Sequence, residues 1–300
     1  MTAYTTYQID AFTQTPFKGN PAGVVTNADG LTDIQMQQIA RELNNSETAF
    51  IFPPRGNDCD GTIRYFTPTT EVPICGHATI AALFAKAGEE NIQNGTFRMK
   101  TGVGILPVEI QTDDTGVKIW MTQGAFELQP PLPPQISNEL LSALGLTPEE
   151  MDHRCPVQIA STGAGKVMIG IQSRESLNAL KPDFPALVRL SKTIGCNGYY
   201  VFTFDSENPE TLVHGRMFAP AVGINEDPVT GNANGPLGGY LIHNDLVGPQ
   251  GEEFRFKAVQ GEAMGREGMI EVVVGLKNGR PEQIKLAGQA VEVFKTRIEI

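Results

Sequence analysis

Two stretches of this chain repeat each other at a nearly fixed distance, and that repeat limits the possible folds more than any other feature. Arg64-Tyr65-Phe66-Thr67-Pro68 answers to Arg216-Met217-Phe218-Ala219-Pro220, an offset of 216 − 64 = 152. Phe50-Ile51-Phe52 and Phe202-Thr203-Phe204 keep it, at 202 − 50 = 152. Past the proline the second copy is longer by three, since 231 − 220 = 11 and 76 − 68 = 8. Gly76 and Gly231 then each open an apolar run. The run Ala78–Ala87 has almost no polar residue and precedes Gly88. It predicts a helix that is apolar all round, hence buried, with Gly88 as its C-terminal residue. Such a helix must satisfy its first N–H groups outside itself. Those around Gly76 and His77 form a natural site for a carboxylate or phosphate; the alternative is a helix capped by its own loop. Two diverged half-chains thus predict two lobes, each built on one buried helix. If the lobes face each other, both helix N-termini meet in one cleft.

Three hundred residues suit two domains of about 150 each. The expected lobes are 1–128, rejoined by a C-terminal strand at 288–300, and 129–287. The proline run 130–134 is the expected linker. With 32 Gly and 21 Pro, many short strands and turns are expected rather than a helical bundle, and the strands and helices read along the chain make the expected class α+β. A helix is predicted from Thr32 or Asp33 to Leu43, with Ile34, Ile39 and Leu43 on its inner side. A net charge of −11 argues against nucleic acid or an anionic membrane surface as partner. The N-terminus lacks the basic and apolar regions of a signal peptide. No apolar run approaches the length of a membrane span. The four cysteines have no paired spacing and read as reduced thiols, so a cytoplasmic location is expected.

Two residues suit proton transfer, and a third suits orienting the substrate. Glu47 lies between a helix end and an apolar strand, where a carboxylate near apolar walls suits a general base; a loop carboxylate capping a neighbour is the plainer reading. His77 stands at the mouth of a buried helix and suits proton exchange or substrate holding, or a satisfied core histidine. Asp227 precedes Pro228 ahead of the second helix and suits orienting a substrate, or a turn. Cys75 suggests a racemase with two opposed thiols, but Thr230 holds the equivalent position in the second copy, so Cys75 reads as a small buried residue. The recurring Arg64 and Arg216 suit structural roles. Gly163-Ala164-Gly165-Lys166 lacks the Walker spacing and is discounted as a phosphate loop. The four histidines show no metal-ligand spacing, so no metal is implied, and no dinucleotide fingerprint follows a strand. Proton transfer without a cofactor remains.

GNPAGVV at 19–25, ARELNNSETAFIF at 40–52, RYFTPTTEVPICGHAT at 64–79 and GRMFAPAVGINEDPVTGNANGP at 215–236 resemble the PhzF family over essentially the whole chain. The resemblance implies a diaminopimelate-epimerase-like fold of two lobes, each a strongly curved, mostly antiparallel β-sheet wrapped round a central helix. It implies a cleft between lobes, no cofactor, a small carboxylate-bearing substrate, and a homodimer. In the family's phenazine enzyme a glutamate moves a proton between two carbons of trans-2,3-dihydro-3-hydroxyanthranilate, beside a histidine and an aspartate. The matching motifs place these at Glu47, His77 and Asp227. Substrate contacts are expected from Cys75, Gly76, Thr230, Gly231 and Asn232. Asn232 stands where a serine often follows the TG pair, and the CGHAT form at 75–79 differs from that of the phenazine enzyme. The implied activity is proton-transfer isomerisation of an unspecified acid. A two-base epimerase and a non-catalytic small-molecule binding protein are the alternatives.

Overall fold

The computed structural model describes residues 2–248 and 250–300. The chain divides into two units, Met1–Thr122 with Ala287–Ile300, and Gln123–Leu286. Among the described residues, no helix is long and apolar enough to cross a membrane.

In the first unit the strands are β1 (Ala3–Ala11), β2 (Asn20–Val25), β3 (Thr48–Phe52), β4 (Gly61–Phe66), β5 (Glu71–Val72), β6 (Gly95–Thr101), β7 (Gly104–Asp113) and β8 (Gly116–Thr122). Its helices are α1 (Asp33–Leu43) and α2 (Gly76–Glu90). β1 pairs antiparallel with β2, β2 parallel with β3, β3 antiparallel with β4, and β4 parallel with β6. β6, β7 and β8 form a meander. The last strand of the chain, β17 (Arg280–Glu299), pairs with both β1 and β8 and closes the ring. A barrel leaves no edge strand exposed. Inside it lies α2, on which every residue from His77 to Leu83 is buried. The long apolar run therefore folds as predicted, a helix buried on all sides over its first two turns.

The end of α2 differs from expectation. Gly88 lies within the helix, and Asn91 closes it at φ 55°, its N–H bonded to the Ala87 carbonyl. Asparagine takes the left-handed conformation more readily than other residues with a Cβ, so it serves where glycine is usual. On α1, Thr32 and Gln35 form a reciprocal capping box. The buried side of α1 is Met36, Ile39 and Ala40, whereas Ile34 is 72% exposed. That face packs outside the barrel against Tyr4, Val25, Phe50 and Phe66.

The second unit repeats this order. Its strands are β9 (Glu127–Leu128), β10 (Gln158–Ser161), β11 (Lys166–Ile171), β12 (Tyr199–Thr203), β13 (Val213–Ala219), β14 (Ile224–Asp227), β15 (Glu253–Gln260) and β16 (Gly268–Lys277). Its helices are α3 (Pro134–Leu144), α4 (Arg174–Ala179), α5 (Phe184–Ile194) and α6 (Gly231–His243). The pairing runs antiparallel from β10 to β11, parallel to β12, antiparallel to β13, parallel from β13 to β15, and antiparallel to β16. That is the sequence of senses from β1 to β7. A hairpin through Asn278 and Gly279, both at positive φ, leads into β17. The central helix is α6, buried from Ala233 to Ile242. α3 and α5 cover the outer face through Leu140, Leu144, Leu187 and Leu190 against Val167, Ile169, Tyr199 and Val201.

The proline run at 130–134 belongs wholly to the second unit. Leu128 pairs with Ala160, the Leu132 N–H bonds the Val157 carbonyl, and Pro134 opens α3. Proline suits a first helical position, where its missing N–H costs nothing, so these residues are ordered rather than a free linker.

Candidate active site

In the first unit the site forms where β3 begins and α2 begins. α1 ends at Asn44, which takes the left-handed conformation at φ 53° and turns the chain back. The chain then enters β3 with the Glu47 carbonyl accepting from the Gly23 N–H at 3.3 Å. β2 approaches closely here because position 23 has no side chain. A Cβ on Gly23 would lie 2.7 Å from both Thr48 Oγ1 and Leu43 Cδ1. Glu47 is thereby held at the barrel rim with its side chain 14% exposed.

Cys75 is the N-cap of α2 and supplies no side-chain cap, so the first-turn N–H groups are left to other partners. Its carbonyl accepts from the Thr79 hydroxyl at 2.7 Å, and the Tyr65 hydroxyl lies 2.6 Å from that of Thr79. Burial pushes the Tyr65 phenol well above its ordinary range, so it stays a neutral strut. These contacts fix the start of the helix and the residues on either side of Gly76. Around Gly76 there is open space: a Cβ there meets nothing within 4 Å.

His77 Nε2 lies 3.4 Å from Glu47 Oε2 and 3.3 Å from Ser46 Oγ, while its Nδ1 lies 3.4 Å from Cys75 Sγ. The imidazole is buried. Carboxylate, imidazole and thiol thus gather beside the uncapped start of an apolar helix. Ser46 lies in the same stretch as Glu47, and its place beside that residue is its only sequence signal. The cluster holds a proton acceptor, a group able to donate or accept, and N–H dipoles suited to an anion.

The second unit has a corresponding construction. Thr230 is the N-cap of α6, as Cys75 is of α2. It too gives no side-chain cap; its hydroxyl donates to the Asp227 carboxylate and accepts from Gln260 Nε2 at 3.1 Å. Gln260 is the hub: its Oε1 accepts from the Thr230 N–H at 3.1 Å, and its Nε2 donates to the Asp227 carbonyl at 2.8 Å. Asn234 donates to the Thr230 carbonyl and to Gln260 Oε1, both at 3.0 Å, and accepts from the Tyr200 hydroxyl at 2.7 Å. Gln260 and Asn234 have no exposure at all. Their chain positions carry no signal, since buried amides are recognised only through partners far away in sequence. Gly231 and Asn232 occupy the first turn of α6.

The remaining candidates have structural roles. Arg64 bridges Asp33 at 2.6 Å and Glu71 at 2.7 Å. Arg216 pairs with Glu226 through two bonds of 2.8 Å and caps α4 through the Leu177 and Leu180 carbonyls. Lys166 is buried, with its amine turned back onto the carbonyls of Ala164 and Gly165, and burial lowers its pKa. It cradles its own loop rather than a phosphate.

The family model described as phenazine biosynthesis-like protein, PhzC-PhzF, matches residues 9–296. An uncharacterised isomerase of Clostridium acetobutylicum is 55% identical over 98% of both chains. The uncharacterised isomerase YddE of Escherichia coli K12 is 46% identical over 96% of each. The trans-2,3-dihydro-3-hydroxyanthranilate isomerase of Pseudomonas fluorescens is 32% identical, over 97% of this chain and 93% of that one. Among solved structures, the Bacillus anthracis phenazine biosynthesis protein of the PhzF family superposes with a TM-score of 0.89 at 30% identity, covering all of both chains. The chain belongs to the PhzC-PhzF family and is an isomerase of that family.

Proposed function

We propose that this isomerase moves a proton between two carbons of a small carboxylate-bearing substrate, with Glu47 as the base that removes it and, once protonated, returns it. The observation that carries this reading is the gathering of Glu47 and His77 at the uncapped, open start of α2. Removing a C–H proton leaves an electron pair that must delocalise into a conjugated system, here one bearing the carboxylate. His77 donates a hydrogen bond to the substrate and holds it in line with Glu47. The N–H groups at Gly76 grip the carboxylate, stabilising the charge that develops as the proton leaves. Cys75 bounds the site as a small side chain. In the second unit, the reading gives Asp227, Thr230, Gly231 and Asn232 the task of holding substrate. The proposal needs no cofactor and includes a homodimer.

Two features weigh against a two-thiol epimerase. The position matching Cys75 is Thr230, and the Thr230 hydroxyl is committed to Asp227. Proton transfer is tested by proton NMR in deuterated water against a panel of hydroxy, amino and unsaturated carboxylic acids, including the dihydro-hydroxyanthranilate of the Pseudomonas relative. The expected result is enzyme-dependent loss of one C–H signal with a positional isomer as product. Glu47→Gln should lower that rate by roughly 10²–10⁴. Full activity in the variant would sink the assignment, and inverted configuration at a single carbon would replace isomerisation with epimerisation.

A further inference from the structure

The spacing of residues along the chain gives no metal signature, yet folding brings three different ligand types together. One ligand atom from each of Glu47, Cys75 and His77 lies within 4.8 Å of the other two. Cys75 Sγ is 3.9 Å from His77 Nε2, and that nitrogen is 3.4 Å from Glu47 Oε2. In a tetrahedral zinc site, bonds of about 2.3 Å to sulfur and about 2.0–2.1 Å to nitrogen and oxygen separate sulfur from nitrogen by roughly 3.6 Å and nitrogen from oxygen by roughly 3.4 Å. The spacing found is already close to both, and the thiol and carboxylate, within 4.8 Å of each other, have only a short movement to make. Cys75 is the N-cap of α2, His77 lies in its first turn, and Glu47 immediately precedes β3, so the entry to a buried helix and the entry to a strand bring the three ligands together. All three side chains are largely shielded from water.

The geometry points to a Zn²⁺ site formed by Glu47, Cys75 and His77, whose occupation switches the enzyme off. A thiolate beside an imidazole and a carboxylate suits zinc or cobalt and disfavours magnesium and calcium, which prefer oxygen ligands alone. Three protein ligands leave the fourth position to water. On binding, the Cys75 S–H bond breaks, its proton passes to the solvent, and a Zn–S bond forms with no change of oxidation state. The Glu47 lone pair that would accept a substrate proton is then held by the metal. The second unit cannot form the same set, because Thr230 replaces the thiol and Asn232 the imidazole at the corresponding positions. The metal site rests on ligand placement alone, while its inhibitory effect rests on Glu47 being the base.

The test is calorimetric titration of the intact protein with Zn²⁺, repeated on Cys75→Ser, His77→Gln and Glu47→Gln. One zinc ion per chain is expected, with each variant binding at least tenfold more weakly. Loading the wild type with Co²⁺ gives a check independent of variant folding: a thiolate-to-cobalt charge-transfer band is expected in the near ultraviolet. Alkylation mapped by mass spectrometry should show Cys75 protected by Zn²⁺ and unprotected by Mg²⁺. Absence of a stoichiometric site, equal binding in all three variants, or a cobalt spectrum without the thiolate band overturns the proposal. If zinc binds as described while Glu47→Gln retains full proton transfer, the metal site stands and the reading of Glu47 falls.

Discussion

His214 Nδ1 lies 2.9 Å from Glu262 Oε2, its Nε2 lies 3.1 Å from the Ser206 hydroxyl, and the Arg174 guanidinium pairs with the same carboxylate. Burial pushes the Glu262 pKa up, but the bonds from His214 and Arg174 more than offset it and bring it down to about 2. A carboxylate depressed on folding contributes stability above its unfolded pKa and loses it as pH falls toward the folded value. This contribution is therefore complete above about pH 4.5 and fades toward pH 2. Glu262→Gln should cost about 1–3 kcal/mol at pH 7. In denaturant melts, the gap from wild type should close across that acid window. At the same scale, Glu47, His77 and Asp227 stand out in the sequence because each lies within a motif. Ser46 and Asn234 lie inside the same motifs but their residue types carry no proton-transfer signal, and Gln260 lies outside them; all three act through partners such as Thr230 and His77, 4 to 31 residues away.

Among the elements, the two central helices differ in how closely their neighbours approach. Gly88 sits inside α2 with nothing within 4 Å of where a Cβ would be. Gly88→Ala should therefore stabilise by about 0.5–1 kcal/mol through helix propensity. Were Gly88 the left-handed terminating residue expected from the sequence, the same change would destabilise. On α6, a Cβ at Gly238 would lie 2.6 Å from Val274 Cγ2 and 3.1 Å from Phe256. Gly238→Ala should overpack that contact by about 1–3 kcal/mol, exceeding the helix gain of about 1 kcal/mol. Thermal melts of the two variants should thus move in opposite directions. The apolar runs of both helices, the α1 cap at Thr32 and the strands of the repeat are legible because local chemistry decides them. The two-residue strands β5 and β9 and the short helix α4 are not, since nothing within so few residues separates them from loop. Ile34 misleads because it matches the helical period yet lies off the buried face set by Met36, Ile39 and Ala40.

For the molecule as a whole, the repeat is the legible part: both units carry the same order of parallel and antiparallel pairs. A strand at 288–300 rejoining the first lobe is expected from the sequence, but nothing local specifies its partner or the register in which β17 pairs with β1, from Ala3↔Glu299 to Ala11↔Ala290. A chain cut after Leu286 should lose that pairing and leave β1 and β8 as open edges. In a urea melt it should lose the cooperative transition of the first unit, with dye-binding apolar surface exposed. A truncated chain that melts like the full one would show the barrel does not need its last strand.

That path also bears on the order of events at the ribosome. Chain growth usually lets the N-terminal domain fold first, and here the first 122 residues emerge early. Their barrel nevertheless waits for a strand that ends at Glu299, so the unit translated first is completed last. Until that strand is made, α2 and the ring around it are left to whatever shelters a nascent chain.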